Sequence, residues 1–84
     1  MKRKMLNRKN AIQTPGSGTT IAINYSKAEH VLEVVFIGGK VYHYYGVEPE
    51  VWEEYKNVVL SGRSSGTFVN TRIKPHYLKF EEVY

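Results

Sequence analysis

A run of hydroxyl, glycine, amide and cationic side chains lies in the C-terminal half of the chain. It consists of Arg63, Ser64, Ser65, Gly66, Asn70, Arg72 and Lys74. Backbone N–H groups where a helix begins at these serines, with cations downstream, would bind phosphate or carboxylate. The same pattern is also typical of a capped turn with solvated cations. Asn70 either orients a ligand or satisfies the loop backbone. We take this run as the first candidate anion site.

A second candidate is a pair of tyrosines, Tyr42 and Tyr44, two positions apart in an apolar stretch. On a β-strand their rings project from one face, where nucleic-acid bases could stack on them. The alternative is that both rings belong to the core and only their hydroxyls reach the rim.

Catalytic and metal chemistry find little support in the sequence. The chain has no cysteine and no aspartate, and its three histidines, His30, His43 and His76, do not have the spacing of metal ligands. Glu33 and His43 could form an acid–base pair across a sheet face, although most such pairs are solvated surface groups. We therefore expect no catalytic residues, no metal and no cofactor, and a protein that is not an enzyme.

The stretch 31–47 must position the tyrosines, and it reads as a hairpin closed at Gly38-Gly39. A two-residue turn would pair Val34 with His43, whereas a three-residue turn would pair Val34 with Tyr42. We prefer the three-residue turn, because it gathers the tyrosines with the apolar residues of the first strand and places Glu33 and His43 on the other face.

Other segments complete an α+β domain. Residues 20–26 alternate like a half-buried strand, and a helix begins near Pro49 and ends at Ser61-Gly62. Residues 63–75 form either a short second helix or an extended loop, and residues 76–84 suggest a closing strand. The predicted fold is a small antiparallel sheet, a three-strand meander plus a C-terminal strand, packed against one main helix and a short second helix.

The N-terminus differs from the rest in charge and composition. Five cations fall in the first ten residues, so residues 11–84 are about neutral. Residues 1–19 are predicted to form a disordered basic arm, either a phosphate-binding tether or a solubilising tail, and residues 20–84 the domain. The thin core of such a small domain favours stabilisation as a homodimer or higher oligomer. No apolar run reaches membrane-spanning length and there is no cysteine, so we expect a cytoplasmic protein without membrane contact.

The order of residues in the domain resembles a known family. The matching positions are Ile21, Tyr25, Leu32, Val34, Phe36, Gly39, Tyr42, Tyr44, Val47, Ser64, Gly66, Phe68, Asn70, Ile73, Lys74 and Tyr77. This pattern resembles the KTSC domain, a small module named for its occurrence at the C-terminus of some lysyl-tRNA synthetases and also found as a stand-alone protein. RNA binding has been suggested as the function of this family, and the resemblance extends that suggestion to this chain. Aminoacylation is not implied, because the chain has a basic arm and no synthetase.

Three functions follow as hypotheses. The first is a non-enzymatic module that binds RNA or another phosphate-bearing nucleotide ligand. The second is a viral or bacterial protein that sequesters a small, for example cyclic, nucleotide in a pocket completed by a dimer partner. The third is a protein–protein interaction module that uses the acidic helix and exposed aromatic residues.

Overall fold

The structure, a computed structural model, describes residues 5–84 and contains one antiparallel sheet of five strands with two α-helices in that part of the chain. The strands are β1 (Ile12–Gln13), β2 (Thr20–Ser26), β3 (Val31–Phe36), β4 (Val41–Tyr45) and β5 (Phe80–Glu82). The helices are α1 (Pro49–Leu60) and α2 (Ser65–Phe68), and a π-helical segment, Val69–Ile73, continues α2. The strands lie in the order β1-β2-β3-β4-β5, which confirms the α+β prediction and adds β1 to it.

The β3–β4 hairpin has the register of a three-residue turn. Val34 pairs with Tyr42, and the Phe36 N–H donates to the Lys40 carbonyl oxygen at 2.8 Å. Gly38 and Gly39 have φ values of 101° and 92°, a region that other residues adopt only with strain. This register confirms the preference drawn from the sequence and sets the two faces of the sheet.

One face of the sheet packs against the helices to form the core. Ile23, Leu32 and Val34 from the strands meet Tyr55 of α1 and Ile73 of the π-helical segment, and all five are fully buried. Burial of each aliphatic side chain contributes roughly 1.5–3 kcal/mol relative to exposure. The core therefore holds the helices on one side of the sheet.

The main helix has the predicted ends. Pro49 occupies its first turn, where the missing N–H costs nothing, and Glu50 lies at the positive end of the helix dipole. At the other end Gly62 adopts a φ of 81°, and the Arg63 N–H donates to the Val58 carbonyl oxygen at 2.9 Å. The chain then turns directly into α2.

The second helix was one of two predictions for residues 63–75, and the structure has the helix. The Ser64 side chain caps it by accepting from the Thr67 N–H at 3.1 Å. The Ser65 hydroxyl instead lies in the core, 2.6 Å from the Tyr55 hydroxyl and 2.9 Å from that of Thr20. Buried hydroxyls thus connect α2 to both α1 and β2.

The opposite face of the sheet is covered by the N-terminal segment, where a disordered arm was predicted. In residues 5–19 the structure instead has a 3-10 turn, Arg8–Asn10, followed by β1. Three cations of the predicted basic arm, Lys2, Arg3 and Lys4, lie outside the described residues. Composition did not indicate this order, because the segment is held by polar contacts and not by a periodic apolar face.

Those polar contacts converge on Glu33, whose side chain is fully buried. The His43 Nε2 and the Leu6 N–H each lie 2.8 Å from Glu33 Oε2, and Arg8 makes an ion pair with Oε1. Asn24 donates from Nδ2 to the Asn7 carbonyl oxygen at 2.8 Å. We call Arg8, Asn24, Glu33 and His43 the polar cluster. Glu33 and His43 face each other as predicted, but they are buried and not solvated.

Candidate ligand-binding site

An open cleft lies on the helix side of the sheet, between the β3–β4 turn and β5. Its volume is about 420 Å³, and no residue of α1 lines it. Five aromatic or aliphatic side chains and two lysines line it. The lining residues are Phe36, Ile37, Lys40, Tyr42, Tyr44, Lys74 and Phe80. We call this site the aromatic cleft.

The rings of the aromatic cleft form a nearly continuous apolar surface. The centroid of Phe80 lies 5.7 Å from that of Tyr44 and 5.9 Å from that of Tyr42. Phe36 meets Tyr42 edge-on at 5.7 Å. Tyr44 is 3% exposed and forms the floor, whereas Phe80 is 54% exposed and Ile37 is 55% exposed at the walls. The cleft therefore offers apolar rings to a ligand while Tyr44 remains part of the core.

The two tyrosine hydroxyls have different surroundings. Burial, with a smaller effect from Tyr42, raises the pKa of Tyr44 to about 12, so its hydroxyl stays protonated at neutral pH. The Tyr42 hydroxyl donates to Glu82 Oε1 at 3.2 Å. The core-packing prediction is confirmed for Tyr44, which is 3% exposed, whereas ligand contact by this pair stays a prediction.

Two lysines give the cleft its charge. Lys74 lies with its Nζ 5.4 Å from the centroid of Phe36, and Lys40 follows the glycine turn. The seven lining residues include no carboxylate, so nothing within the lining neutralises the two ammonium groups. Exposed rings beside unneutralised cations suit a ligand that has both a flat ring and an anionic group.

The candidate anion site predicted at residues 63–74 is divided among separate surroundings. Arg63 and Ser65 line a small hollow of about 140 Å³ together with residues 14–17, while Lys74 lines the aromatic cleft. Arg72 donates from Nη2 to Glu54 Oε1 at 2.8 Å. The three cations thus do not surround one cavity, because Arg63 precedes α2, Arg72 lies within the π-helical segment and Lys74 follows it.

The ion pair between Arg72 and Glu54 joins the π-helical segment to α1. The hydrogen bond from Arg72 lowers the pKa of Glu54, and the same bond raises the pKa of Arg72. Both side chains are partly exposed, so the pair contributes little to stability. Arg72 nonetheless has a partner within the protein, which leaves it less available to an anionic ligand.

The remaining predicted site residues have structural surroundings. Ser64 caps α2, and Ser65 is only 2% exposed with its hydroxyl bonded inside the core. Gly66 approaches Thr19 so closely that a Cβ atom would lie 2.8 Å from Thr19 Oγ1. Asn70 is exposed on the π-helical segment and does not line the aromatic cleft. Helix capping accounts for Ser64, and close packing accounts for Ser65 and Gly66.

Sequence reasoning found Tyr42, Tyr44 and Lys74 but missed the rest of the cleft. Phe80 enters because β5 pairs with β4 and sets it directly opposite Tyr44. Lys40 enters through the hairpin register, which was available from the sequence. The pairing of β5 could not be read from its weak alternation, so no sequence signal identified Phe80.

The fold and the cleft together define a small antiparallel α+β domain with an aromatic site on its sheet. The chain belongs to the KTSC domain family, whose model matches residues 17–77. A protein of Tsukamurella paurometabola is 38% identical over 66 residues, which span 79% of this chain and 92% of that protein.

The crystal structure of a KTSC domain protein from Yersinia pestis has the same fold. It superposes with a TM-score of 0.68 at 24% identity, covering 89% of this chain and 97% of that one. Among residues 5–84, no helix has the length and apolar character required to cross a lipid bilayer.

Proposed function

We propose that this KTSC domain is a non-enzymatic module that binds RNA, or another phosphate-bearing nucleotide ligand, in the aromatic cleft. The observation that supports it is the combination in one cleft of exposed aromatic rings with two lysines and no carboxylate. The proposal includes a cytoplasmic setting, which the absence of cysteine favours.

The apolar part of the proposal depends on the exposed rings. Phe80 is 54% exposed, and a base laid on it would lie close to Tyr42, whose ring is tilted by 34° from that of Phe80. Stacking of one base on an aromatic side chain contributes about 1–3 kcal/mol. We expect Phe80→Ala to weaken RNA binding by about fivefold to hundredfold, with little effect on folding because the ring is largely exposed.

The charged part depends on Lys40 and Lys74, which would contact the phosphates on either side of the stacked base. Each phosphate contact with a single strand contributes about 0.7 to the slope of log affinity against log salt. Replacing both lysines with alanine is expected to weaken binding and to reduce that slope by about 1.4.

The experiment is fluorescence anisotropy of a labelled single-stranded RNA across a salt series. The matched control is Arg63→Ala, which removes a cation that lies outside the aromatic cleft. Equal binding by wild type and Arg63→Ala, with loss in the lysine variant, supports the cleft. Loss in Arg63→Ala alone would move the site to the hollow beside α2, and RNA binding that is insensitive to salt would contradict the proposal.

A mononucleotide is a second candidate ligand, because the cleft of about 420 Å³ is within the usual range of small-molecule sites. Thermal-shift measurements with mono-, di- and cyclic nucleotides and with RNA of increasing length separate the two. Affinity that rises with RNA length supports the polymer. A shift with a mononucleotide that longer RNA does not exceed supports the small ligand.

A further inference from the structure

The geometry points to a second copy of this chain as the partner of the β5 edge, through antiparallel pairing of β5 with its symmetry mate. β5 is the last strand in the sheet, so its outer edge has no neighbouring strand among residues 5–84. An uncovered edge is a template for pairing with another strand.

The hydrogen bonds of β5 show which of its groups point outward. The Lys79 carbonyl oxygen accepts a hydrogen bond from the Tyr45 N–H at 3.0 Å, and the Val83 N–H donates to the Val41 carbonyl oxygen at 2.8 Å, so both groups point toward β4. Backbone groups of successive residues in a strand alternate in direction, so those of Phe80 and Glu82 face away from β4. These are the groups that a second β5 strand would bond.

The side chains around this edge are unusually apolar for a surface. Leu78 is 77% exposed, Phe80 is 54% exposed and Tyr84 is 73% exposed. All three lie on or beside β5. Pairing of two copies would remove part of this apolar surface from water, which favours association.

Charge selects the register of the pairing. When two identical antiparallel strands pair about a two-fold axis, the residue at the axis lies opposite itself. An axis at Lys79, Glu81 or Glu82 would set like charges face to face, which is destabilising. An axis at Phe80 sets ring against ring and places Lys79 of each copy opposite Glu81 of the other. This register alone makes two opposite-charge pairs.

The dimer would join two sheets into one and set two aromatic clefts side by side. A two-fold axis perpendicular to the sheet keeps both Phe80 rings on the cleft face, whereas Lys79 and Glu81 lie on the opposite face. The interface does not depend on a ligand, so it can be tested without one.

The test is a charge exchange followed by sedimentation velocity over a range of protein concentrations. Lys79→Glu and Glu81→Lys are each expected to raise the dimer dissociation constant by about tenfold, because two favourable pairs become repulsive. The double variant restores opposite charges at both places and is expected to recover the wild-type value. Circular dichroism confirms that each variant is folded.

A cross-link provides an independent measurement. The chain has no cysteine, so Phe80→Cys introduces a single thiol at the proposed axis. Opposed residues in such a pair have Cα atoms about 5.5 Å apart, which suits a disulfide. Mild oxidation is expected to link Phe80→Cys much faster than Leu60→Cys, a control position that is 73% exposed on α1. A monomeric wild type, no recovery in the double variant, or equal cross-linking rates would overturn the inference.

Discussion

Glu33 places a carboxylate in the interior of a small domain, beneath the N-terminal segment. Burial alone would raise its pKa, but hydrogen bonds from His43 and the Leu6 N–H, together with the charge of Arg8, outweigh burial and hold the pKa below its usual 4.5. The carboxylate is therefore ionised at neutral pH. His43 Nδ1 has no hydrogen-bond partner among residues 5–84, so the imidazole is hydrogen-bonded only through Nε2, which faces Glu33.

Glu33→Gln should destabilise the fold by about 2 kcal/mol. The substitution keeps the shape of the side chain and removes the charge that balances Arg8. Removal of one partner from a fully buried pair costs about 3–5 kcal/mol, and the Arg8 side chain is 43% exposed, which reduces the loss. Urea denaturation measures it. Glu54→Gln is the matched control, because its ion pair with Arg72 is exposed and its loss should be small.

The stability of the protein should fall as the pH drops below about 4.5. Glu33 has a lower pKa in the folded than in the unfolded state, so the unfolded state binds more protons in this range. The stabilisation is present above the unfolded pKa and is lost as the pH passes through the folded pKa. As the pH is lowered from about 6 to about 3, the urea concentration at the unfolding midpoint should fall more steeply for wild type than for Glu33→Gln. Parallel curves would contradict this role for Glu33.

At the residue scale the sequence predicted that Glu33 and His43 share a face but not that they are buried. The hairpin register follows from turn chemistry and local apolar pattern, both of which are visible in the sequence. The cover over Glu33 comes from a segment 25 residues earlier, through Arg8. A polar contact at that separation has no periodic signal.

At the scale of the elements, α2 has only four residues, which is too short for a stable isolated helix. Hydrogen bonds from side-chain hydroxyls fix it in place. The Ser65 hydroxyl bonds to Tyr55 of α1 and to Thr20 of β2, and Thr20 in turn lies 2.7 Å from Thr14. Burial raises the pKa of Tyr55 to about 12, while its hydrogen bond with Ser65 acts in the opposite direction. The Tyr55 hydroxyl therefore stays protonated and joins the two helices.

Tyr55→Phe should cost about 1–2 kcal/mol, because it leaves the Ser65 hydroxyl and carbonyl oxygen without this partner in the core. Thermal denaturation followed by circular dichroism measures the loss. Tyr45→Phe, at a half-buried position on β4, is the control and should change stability little. A Tyr55→Phe variant as stable as wild type would show that water replaces the hydroxyl.

Elements with strong local signals were predicted closely, whereas β5 was predicted only as a closing strand within residues 76–84 and β1 was not predicted. Pro49, the acidic first turn and Gly62 mark both ends of α1. By contrast, β1 has two residues and β5 has three, so neither is long enough to show alternation. Their existence depends on pairing with β2 and β4, which is a tertiary effect.

At the scale of the whole molecule, the N-terminal segment is part of the folded unit. Removal of residues 1–13 would take away β1, Arg8 and the Leu6 N–H, and it would expose the polar cluster with an unbalanced Glu33. We expect a loss of about 3–5 kcal/mol, close to the whole stability of a small domain. Removal of residues 1–4, which keeps these contacts, is the matched control, and circular dichroism with urea denaturation compares the two. A stable chain that begins at residue 14 would contradict this prediction.

The aromatic cleft was predictable only in part. The hairpin brings Tyr42 and Lys40 close together through local chain geometry. Lys74 and Phe80 reach the cleft from the end of the π-helical segment and from β5, so their position depends on the complete fold. The three cations of the predicted anion site do not share one cavity, because Arg63 lines the hollow beside α2, Arg72 pairs with Glu54 of α1 and Lys74 lines the aromatic cleft.

The chain has one tryptophan, and its position has an optical consequence. Trp52 stacks on Tyr25 at 5.5 Å, with the planes 13° apart, and Lys56 Nζ lies 5.7 Å from its ring centroid. The indole thus sits at the junction of α1 and β2 and outside the aromatic cleft. Its emission spectrum should report the separation of helix from sheet with little interference from an occupant of the cleft, which makes it an intrinsic probe for unfolding kinetics.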